Sequence, residues 1–241
     1  FAITIGVLLI TPLAHKLSLT LRDDWAVPLK LKDSSWRVIR CAAKDKSLRT
    51  KQGGYRSSQR KVECSDMDVR STGVSGTTRR WLWGPWMLTR QMEDFNAYRT
   101  RGGDSGEFEP RTINRAVSIV TVHTYDELRR KLPECRIRPG DLGENLLLMG
   151  PSLKAGLDLK VGMRLRIGDK VQLEITEANK PCHRLNFLSW AHQAERRFGA
   201  AWWNHPDMPT CPETSPGGRG WLAKVVVEGR LYPMDLVAVV S

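Results

Sequence analysis

Alternation of apolar and polar residues is clearest in the second half of the chain, where it predicts a series of β-strands. The stretch MRLRIGDKVQLEITEA, at residues 163–178, contains two alternating runs separated by a Gly-Asp pair. In the second run, Val171, Leu173 and Ile175 share one face, with polar side chains opposite. A Gly-Asp pair is typical of a tight turn, so this stretch predicts two antiparallel strands.

The neighbouring segments extend this pattern into a mainly β fold. RAVSIVTV at residues 115–122 predicts a strand, and PGDLGENLLLMG at 139–150 predicts a turn followed by a short apolar strand. TYDELRRKL at 124–132 predicts a helix in which Thr124 is the N-cap and Glu127 completes a capping box. LSWAHQAERRFGAAWW at 188–203 predicts an amphipathic helix, and WLAKVVVEGRLYPMDLVAVV predicts two strands around Glu228-Gly229-Arg230. Five or more strands with one or two helices favour a β-barrel or closed sheet with helical decoration.

The first part of the chain carries no comparable pattern. Residues 20–104 show no sustained period of 2 or 3.6, and Lys44–Arg80 is basic and rich in Ser, Gly and Thr, which predicts a long loop or disorder. We therefore divide the chain into an irregular N-terminal region, 1–104, and a domain at 105–241. The apolar run Phe1–Ala14 is shorter than the ~20 residues that a membrane helix needs. We favour a buried strand for this run. A signal segment and the tail of a membrane segment are the alternatives, so membrane attachment stays an open possibility.

Charge is concentrated in the same irregular part. The net charge is +12, and residues 1–104 hold 19 Lys and Arg against 10 Asp and Glu. A basic surface favours anionic partners such as phosphates, nucleic acid or acidic lipid. Three of the nine tryptophans cluster in WLWGPW, at residues 81–86, which matches no module that stacks nucleobases. Solubility is therefore the preferred interpretation of the charge, and nucleic acid is not a favoured partner.

The cysteines argue against stabilisation by disulfides or structural zinc. The five, Cys41, Cys64, Cys135, Cys182 and Cys211, are scattered, odd in number and without a C-x-x-C pair. A reducing compartment, cytoplasmic or organellar, is the favoured setting.

One cysteine stands in a distinctive context, NKPCHRL at residues 179–185. Pro181 fixes the backbone at the end of the predicted strand and presents Cys182 there. Lys180, His183 and Arg184 would favour the thiolate, which is the form that accepts sulfur or binds a soft metal. From these residues alone, a packed structural cysteine ranks slightly ahead of a reactive one.

Other chemistries for this cysteine are less well supported. A metal site built from Cys182, Cys211, His183, His192 and His205 has no zinc-finger spacing. A Cys/His hydrolase would need His123 or His205 close in space, and no nucleophile signature surrounds the cysteine.

Two further elements are candidates for ligand binding. In GDLGENL, Gly140 and Gly143 permit close approach of the backbone to a phosphate or a pterin edge, whereas a plain β-turn is the simpler interpretation. Arg115, at the start of its strand, with Arg111 nearby, is either an anion-binding residue or a solvated charge.

Taken in order, these segments resemble the MOSC domain, named after the C-terminal part of molybdenum cofactor sulfurase. The resemblance covers residues 111–241 and is closest to the small stand-alone members. The residues that carry it are Gly140, Gly143, Glu144, Asn145, Leu146, Gly162, Leu165, Ile167, Gly168, Pro181, Cys182, Leu185, Gly220, Gly229 and Asp235. The family's G-x-x-GDRH-like segment is not matched, since RGGDSGEFEPRTINRAV stands in its place with Gly103-Asp104 as a partial echo.

The resemblance implies a β-barrel of the pyruvate-kinase insert-domain type with one functional cysteine, Cys182. In reductase members the matching cysteine binds the molybdenum of the molybdopterin cofactor, and the substrates are small N-hydroxylated compounds. Elsewhere in the family the matching cysteine is proposed to carry a persulfide received from a cysteine desulfurase. Pyridoxal phosphate is then expected on the partner desulfurase rather than on this chain. By motif, Gly143, Glu144 and Asn145 would line the cofactor pocket. From their charge rather than from the motif, we infer that Arg115, Lys180 and Arg184 could pair with the pterin phosphate.

Three functions follow as hypotheses. The first is a molybdenum-cofactor oxidoreductase, in which Cys182 is both the metal ligand and the catalytic residue. It would need electrons from a separate protein, because the sequence has no flavin fingerprint and no iron–sulfur cysteine run. The second is a sulfur carrier, and the third is a catalytically silent barrel that the basic segment Lys44–Arg80 tethers to nucleic acid or membrane.

Overall fold

Strands make up most of the fold in the computed structural model of this chain. The structure describes residues 35–43, 61–81, 87–94, 114–150 and 159–240, all of which belong to one unit, 34–241. The N-terminal run Phe1–Ala14, residues 44–60 of the predicted loop, Gly103-Asp104 and Arg111 lie outside these residues.

Within these ranges the chain forms twelve strands and two α-helices. The strands are β1 (Trp36–Ala43), β2 (Val62–Cys64), β3 (Asp66–Arg70), β4 (Gly73–Trp81), β5 (Met87–Asp94), β6 (Val117–Thr121), β7 (Leu146–Met149), β8 (Arg164–Ile167), β9 (Val171–Ala178), β10 (Trp221–Val227), β11 (Gly229–Leu231) and β12 (Leu236–Val240). The helices are α1 (Val122–Lys131) and α2 (Ala191–Phe198), with 3-10 turns at His183–Phe187 and Trp202–Asn204.

Seven of the strands close into a barrel. Their order is β12-β8-β9-β10-β6-β7-β1, and β1 returns to β12 through Trp36 opposite Val237 and Arg37 opposite Leu236. All neighbours run antiparallel except β6 and β7, which are parallel. The barrel confirms the predicted mainly β fold.

Side-chain alternation inside the barrel follows the sequence pattern. Leu165 and Ile167 of β8 are buried between exposed arginines, and β9 alternates in the same way as far as Ile175. All five residues of β6 are buried, as expected for a strand covered on both faces.

A second sheet, β11-β3-β4-β5, packs its apolar residues into the same core, and β2 extends the barrel sheet beside β1. The loop or disorder predicted for Lys44–Arg80 is therefore wrong over residues 62–80. The pattern was missed because β3 has only two buried side chains, Met67 and Val69, between polar ones. The domain boundary at 104/105 stays a prediction, although β1, which precedes it, is hydrogen-bonded into the barrel.

Both helix predictions need correction at their ends. Helix α1 begins at Val122 with Thr121 as N-cap, and Thr124 is instead a buried residue of the first turn. The long helix predicted at 188–203 is only α2, which ends at Gly199 because that residue has a positive φ of 86°. The C-terminal stretch also forms three strands instead of two, since β11 leaves the barrel to pair with β3. No helix in the described ranges is long and apolar enough to cross a membrane.

Candidate functional site

Cys182 lies where the chain leaves the barrel after β9. Its backbone is extended, and the 3-10 turn His183–Phe187 starts at the next residue. The N–H of Leu185 donates to the carbonyl of Cys182 at 3.0 Å, and the Leu185 side chain is fully buried. The backbone that presents Cys182 is therefore anchored on both sides.

Accessibility separates Cys182 from the other cysteines. Cys182 is half-buried, whereas Cys41, Cys64, Cys135 and Cys211 are buried. Burial raises the pKa of the Cys64 thiol to about 11, as it does for Cys135, and raises that of Cys41 still further. These three thiols therefore stay protonated at neutral pH. The pKa of the Cys211 thiol is lowered instead, because hydrogen bonds with Thr214 and Glu213 outweigh its burial, but the residue is only 1% exposed. Cys182 is therefore distinguished from the other four cysteines by its accessibility.

A buried arginine, Arg219, accompanies Cys182. Trp221 lies opposite Ala178 in the β9–β10 ladder, and the N–H of Asn179 donates to the carbonyl of Gly220 at 2.9 Å. The residues that leave β9 and those that enter β10 therefore run side by side. Arg219 is 5% exposed; burial lowers the pKa of its guanidinium, and its electrostatic interaction with Cys182 acts in the opposite direction.

Glu144 is the centre of a buried network. Its carboxylate accepts hydrogen bonds from the Tyr125 hydroxyl at 2.8 Å and the Gly140 N–H at 2.6 Å, and it meets the Arg40 guanidinium at 3.4 Å. The Tyr125 hydroxyl also accepts from the N–H of Leu142 at 3.1 Å. Burial and the charge of Glu144 raise the pKa of Tyr125. These contacts hold the loop before β7 in one conformation.

Asn145 ties three barrel strands together. Its Oδ1 accepts from the Ser118 N–H at 3.0 Å and hydroxyl at 2.8 Å, and its Nδ2 donates to the Ala42 carbonyl at 3.0 Å. The polar side-chain atoms of Glu144 and Asn145 are thus bonded inside the protein. Gly143 is half-buried, and its carbonyl accepts from the Ser118 hydroxyl at 3.2 Å. The predicted role of these three residues toward a cofactor stays a prediction.

Two further buried cations belong to this network. Arg40 Nη2 donates to the carbonyl of Lys61 at 2.7 Å, and Lys61 Nζ donates to the Ser118 hydroxyl at 3.2 Å. Arg40 also lies 3.9 Å from the exposed carboxylate of Glu63. Sequence reasoning missed these cations. Arg40 and Lys61 lie in the part of the chain without a clear hydrophobic pattern, and Arg219 lies between two glycines, outside any predicted strand or helix.

Of the remaining predicted residues, Arg115 and Lys180 lie at the surface. Arg115 is exposed and forms a two-pronged ion pair with Glu177, with Nη2 to Oε2 at 2.9 Å. Lys180 is exposed, two residues before Cys182, and the Arg184 side chain lies outside what the structure describes. Arg115 is therefore paired with a residue of β9. The binding of a phosphate by Arg115, Lys180 and Arg184 stays a prediction.

Within the described ranges, no three His, Cys, Asp or Glu residues are grouped so as to hold a metal ion. A surface cleft of about 590 Å³, lined by residues of β8, β9 and β12, includes none of the candidate residues.

Comparison with known proteins identifies the family. A family model described as "MOSC domain" matches residues 97–238, which is more than half of the chain. No curated protein matches the chain. Among solved structures, YuaD from Bacillus subtilis is 19% identical, with 84% of this chain and 94% of that chain covered and a TM-score of 0.47. YiiM from Escherichia coli is 16% identical, with 85% of this chain and 70% of that chain covered and a TM-score of 0.43. YiiM from Geobacillus stearothermophilus is 17% identical, with 73% of this chain and 74% of that chain covered and a TM-score of 0.40. By the family match, the chain belongs to the MOSC domain family.

Proposed function

We propose that this protein binds the molybdenum cofactor through Cys182 and reduces N-hydroxylated compounds with electrons from a separate protein. The observation that carries the proposal is the position of Cys182. It is the one cysteine of the five that is not buried, and a rigid backbone presents it at the end of a MOSC barrel strand.

The residues at this position fit the cofactor in donor type and charge. A thiolate is a soft ligand suited to a metal–sulfur centre, and one is sufficient because the pterin brings sulfur ligands of its own. The pterin phosphate is anionic, and the buried cation Arg219 lies within electrostatic range of Cys182. When bound, the cofactor supplies a redox-active molybdenum that exchanges electrons with the substrate.

The protein's own residues fix the two segments that would surround such a group. Glu144, Tyr125 and Asn145 hold the loop before β7. Asp141 of the same loop accepts a hydrogen bond from the indole N–H of Trp190 at 2.9 Å, which connects the loop to the segment that follows Cys182. Because both segments are held by buried contacts, little ordering is required when a ligand binds.

A sulfur-carrier function is the second candidate, and the accessibility of Cys182 favours it. A carrier needs an accessible thiol, and the other four cysteines are buried. In that reaction the Cys182 thiolate attacks the outer sulfur of a desulfurase persulfide. The desulfurase cysteine leaves as a thiolate, and pyridoxal phosphate remains on the desulfurase.

Tethering of a silent barrel by Lys44–Arg80 has less support. Residues 62–80 of that segment form strands β2 to β4 and contribute to the core, so they are not a free basic arm.

The test is metal analysis of protein expressed in a host that makes the cofactor. Wild type, Cys182→Ser and, as a matched control, the buried Cys135→Ala would be analysed for molybdenum. We expect near-stoichiometric molybdenum in wild type and in Cys135→Ala and none in Cys182→Ser. The wild type should also reduce an N-hydroxylated amidine with a chemically reduced viologen as electron donor.

Absence of molybdenum from wild type would contradict the reductase. Intact-mass analysis after incubation with a desulfurase and cysteine then tests the carrier, since one added sulfur atom on Cys182 supports it and an unchanged mass refutes it.

A further inference from the structure

The connection between β11 and β12 is a tight turn with an unusual residue at its third position. The N–H of Asp235 donates to the carbonyl of Tyr232 at 3.2 Å, which closes the turn around Pro233 and Met234. Met234 has a φ of 76°, and within the described ranges it is the one residue other than glycine with a positive φ. Proline followed by a residue of positive φ is typical of a type II turn, in which glycine normally takes the place of Met234. A methionine there costs backbone strain that a glycine would avoid.

Burial of the Met234 side chain does not offset this strain. Met234 is 45% exposed, and the neighbouring Tyr232 and Leu236 are 48% and 51% exposed. These three side chains, which we call the apolar tip, form a cluster of large exposed groups on one short stretch of chain. Strain that is kept at an exposed apolar position indicates a contact with something outside the protein.

We propose that the apolar tip is a docking surface for a lipid bilayer with anionic headgroups. The side chains of Met234 and Leu236 enter the acyl region, and Tyr232 lies among the headgroups, where its ring and its hydroxyl suit both environments. This surface does not depend on the chemistry proposed for Cys182.

The backbone of the turn is already prepared for an apolar surrounding. The N–H of Tyr232 donates to the Asp235 carboxylate at 2.8 Å, and the N–H of Met234 donates to the Val38 carbonyl at 2.6 Å. The N–H of Asp235 is used within the turn, and Pro233 has none. All N–H groups of residues 232–235 are therefore bonded inside the protein. An unsatisfied backbone group is costly in lipid, and a donor of this turn does not incur that cost.

Charge around the apolar tip is balanced, and charge on the whole chain is positive. Arg37 lies directly behind the turn, since its Nη1 donates to the Met234 carbonyl at 3.3 Å. The charged residues near the tip are Arg37, Arg166, Lys170 and Arg230 against Asp66, Asp68, Asp169 and Asp235. The tip therefore carries no local negative excess that anionic headgroups would repel, and the net charge of +12 attracts them. A second copy of this chain would bring the same positive charge, which disfavours it as the occupant.

The apolar tip and Cys182 lie at opposite ends of β9. The N–H of Gly168, in the turn before β9, donates to the Leu236 carbonyl at 2.9 Å, whereas Cys182 follows the other end of the strand. The eight residues of β9 span roughly 25 Å. A bilayer at the tip therefore leaves Cys182 open to a partner in the aqueous phase.

Vesicle co-sedimentation tests the proposal on the full chain. Wild type would be mixed with vesicles of phosphatidylcholine, or of phosphatidylcholine with phosphatidylserine, and the bound fraction measured against lipid concentration. The variants are Met234→Gly, Met234→Ala and Leu236→Ser. Val239→Ser is the matched control, because Val239 is also 51% exposed on β12 but lies outside the turn. All variants keep the apolar run Phe1–Ala14, so differences between them report the tip alone.

We expect wild type to bind the vesicles with phosphatidylserine more tightly, and to lose this preference at high salt because ions screen the attraction. Leu236→Ser and both Met234 variants should bind about three- to tenfold more weakly, as expected when one half-exposed apolar side chain is removed from a lipid contact. Val239→Ser should match wild type.

The two Met234 variants separate lipid binding from folding. Glycine relieves the positive φ, so the urea midpoint of Met234→Gly should lie above that of wild type although its vesicle binding falls. Met234→Ala keeps the strain and should lose binding without that gain. Weaker binding by a variant more stable than wild type is not explained by unfolding.

No binding of wild type to either vesicle, equal binding to both, or an equal loss in Val239→Ser would overturn the proposal. A wild-type dimer that Met234→Gly converts into a monomer would also overturn it, in favour of a second copy of this chain. Molybdenum content and alkylation of Cys182 should be the same in all variants and wild type. Failure of the proposed function would therefore leave the vesicle result standing, and the reverse also holds.

Discussion

The loop before β7 and the segment after β9 both carry distinctive residues, yet the structure uses them in opposite ways. In the loop, the Glu144 carboxylate and the Asn145 amide are buried and bonded to the protein. In the segment, Cys182 is half-buried and Lys180 is exposed. The two stretches belong to the same family pattern, but their side chains face different environments.

The buried loop residues stabilise the structure of the site, whereas the accessible cysteine is available to react. A polar group that is buried and fully hydrogen-bonded stabilises one arrangement and resists exchange of partners. A reactive thiol must be reachable by its ligand, so it contributes little to stability. The free energy of unfolding measures this contrast on one scale.

Removal of the Glu144 carboxylate should give the largest effect. Glu144→Ala leaves Arg40 and Tyr125 without their buried acceptor, and loss of one partner from a buried ion pair costs about 3–5 kcal/mol. Urea unfolding followed by circular dichroism measures this. Glu63→Ala, which removes the exposed partner of the same arginine, should cost less than about 1 kcal/mol. Equal losses in the two variants would show that the burial of Glu144 does not matter.

Tyr125→Phe should follow with a loss of roughly 2 kcal/mol. It removes the donor to Glu144 and the acceptor for the Leu142 N–H, both buried, while leaving the ring in place. The same unfolding experiment applies, with the half-exposed Tyr232→Phe as control. If the two variants cannot be distinguished, the network does not stabilise the loop.

Alkaline pH extends the contrast to the cysteines. Burial raises the pKa of Cys64 to about 11, so the folded state keeps a proton that the unfolded chain releases near pH 9. Stability from this thiol is complete below pH 9 and is lost as pH rises toward 11, by about 2–3 kcal/mol. Urea unfolding at several pH values should show a shallower decline in Cys64→Ala. Parallel declines in the two proteins would contradict the assignment.

Cys182→Ser should change stability least, by less than about 0.5 kcal/mol, because the side chain is partly exposed and similar in size. The folded Cys182→Ser variant should not react with iodoacetamide. Its buried cysteines should react only after unfolding. A loss of stability comparable to that of Glu144→Ala would mean that Cys182 is a structural cysteine after all.

The sequence predicted the regular part of the barrel and the position of Cys182. Strands β8 and β9 alternate cleanly because one face is buried and the other is solvated. Pro181 follows such a strand, so its effect on the next residue could be inferred from local chemistry alone. These features depend on residues close together in the chain.

What sequence reasoning missed depends on distant partners. Strand β1 pairs with β7 and β12, and its register shifts between Val38 and Arg40, which disturbs the alternation and accompanies a buried Arg40. Arg219 has no local signal except its flanking glycines, and those acquire meaning only once Pro209 and Ile119 lie against them. Tertiary contacts, rather than propensities, decide both positions.

Closure of the barrel between β1 and β12 has a consequence for biosynthesis. The two strands are separated by roughly 200 residues, which a ribosome adds in about 10–40 s. During that interval the first residues of β1 have an unpaired edge, which includes the buried Val38. The nascent chain thus passes through a stage with an open sheet, in which chaperone binding competes with aggregation until β12 is available.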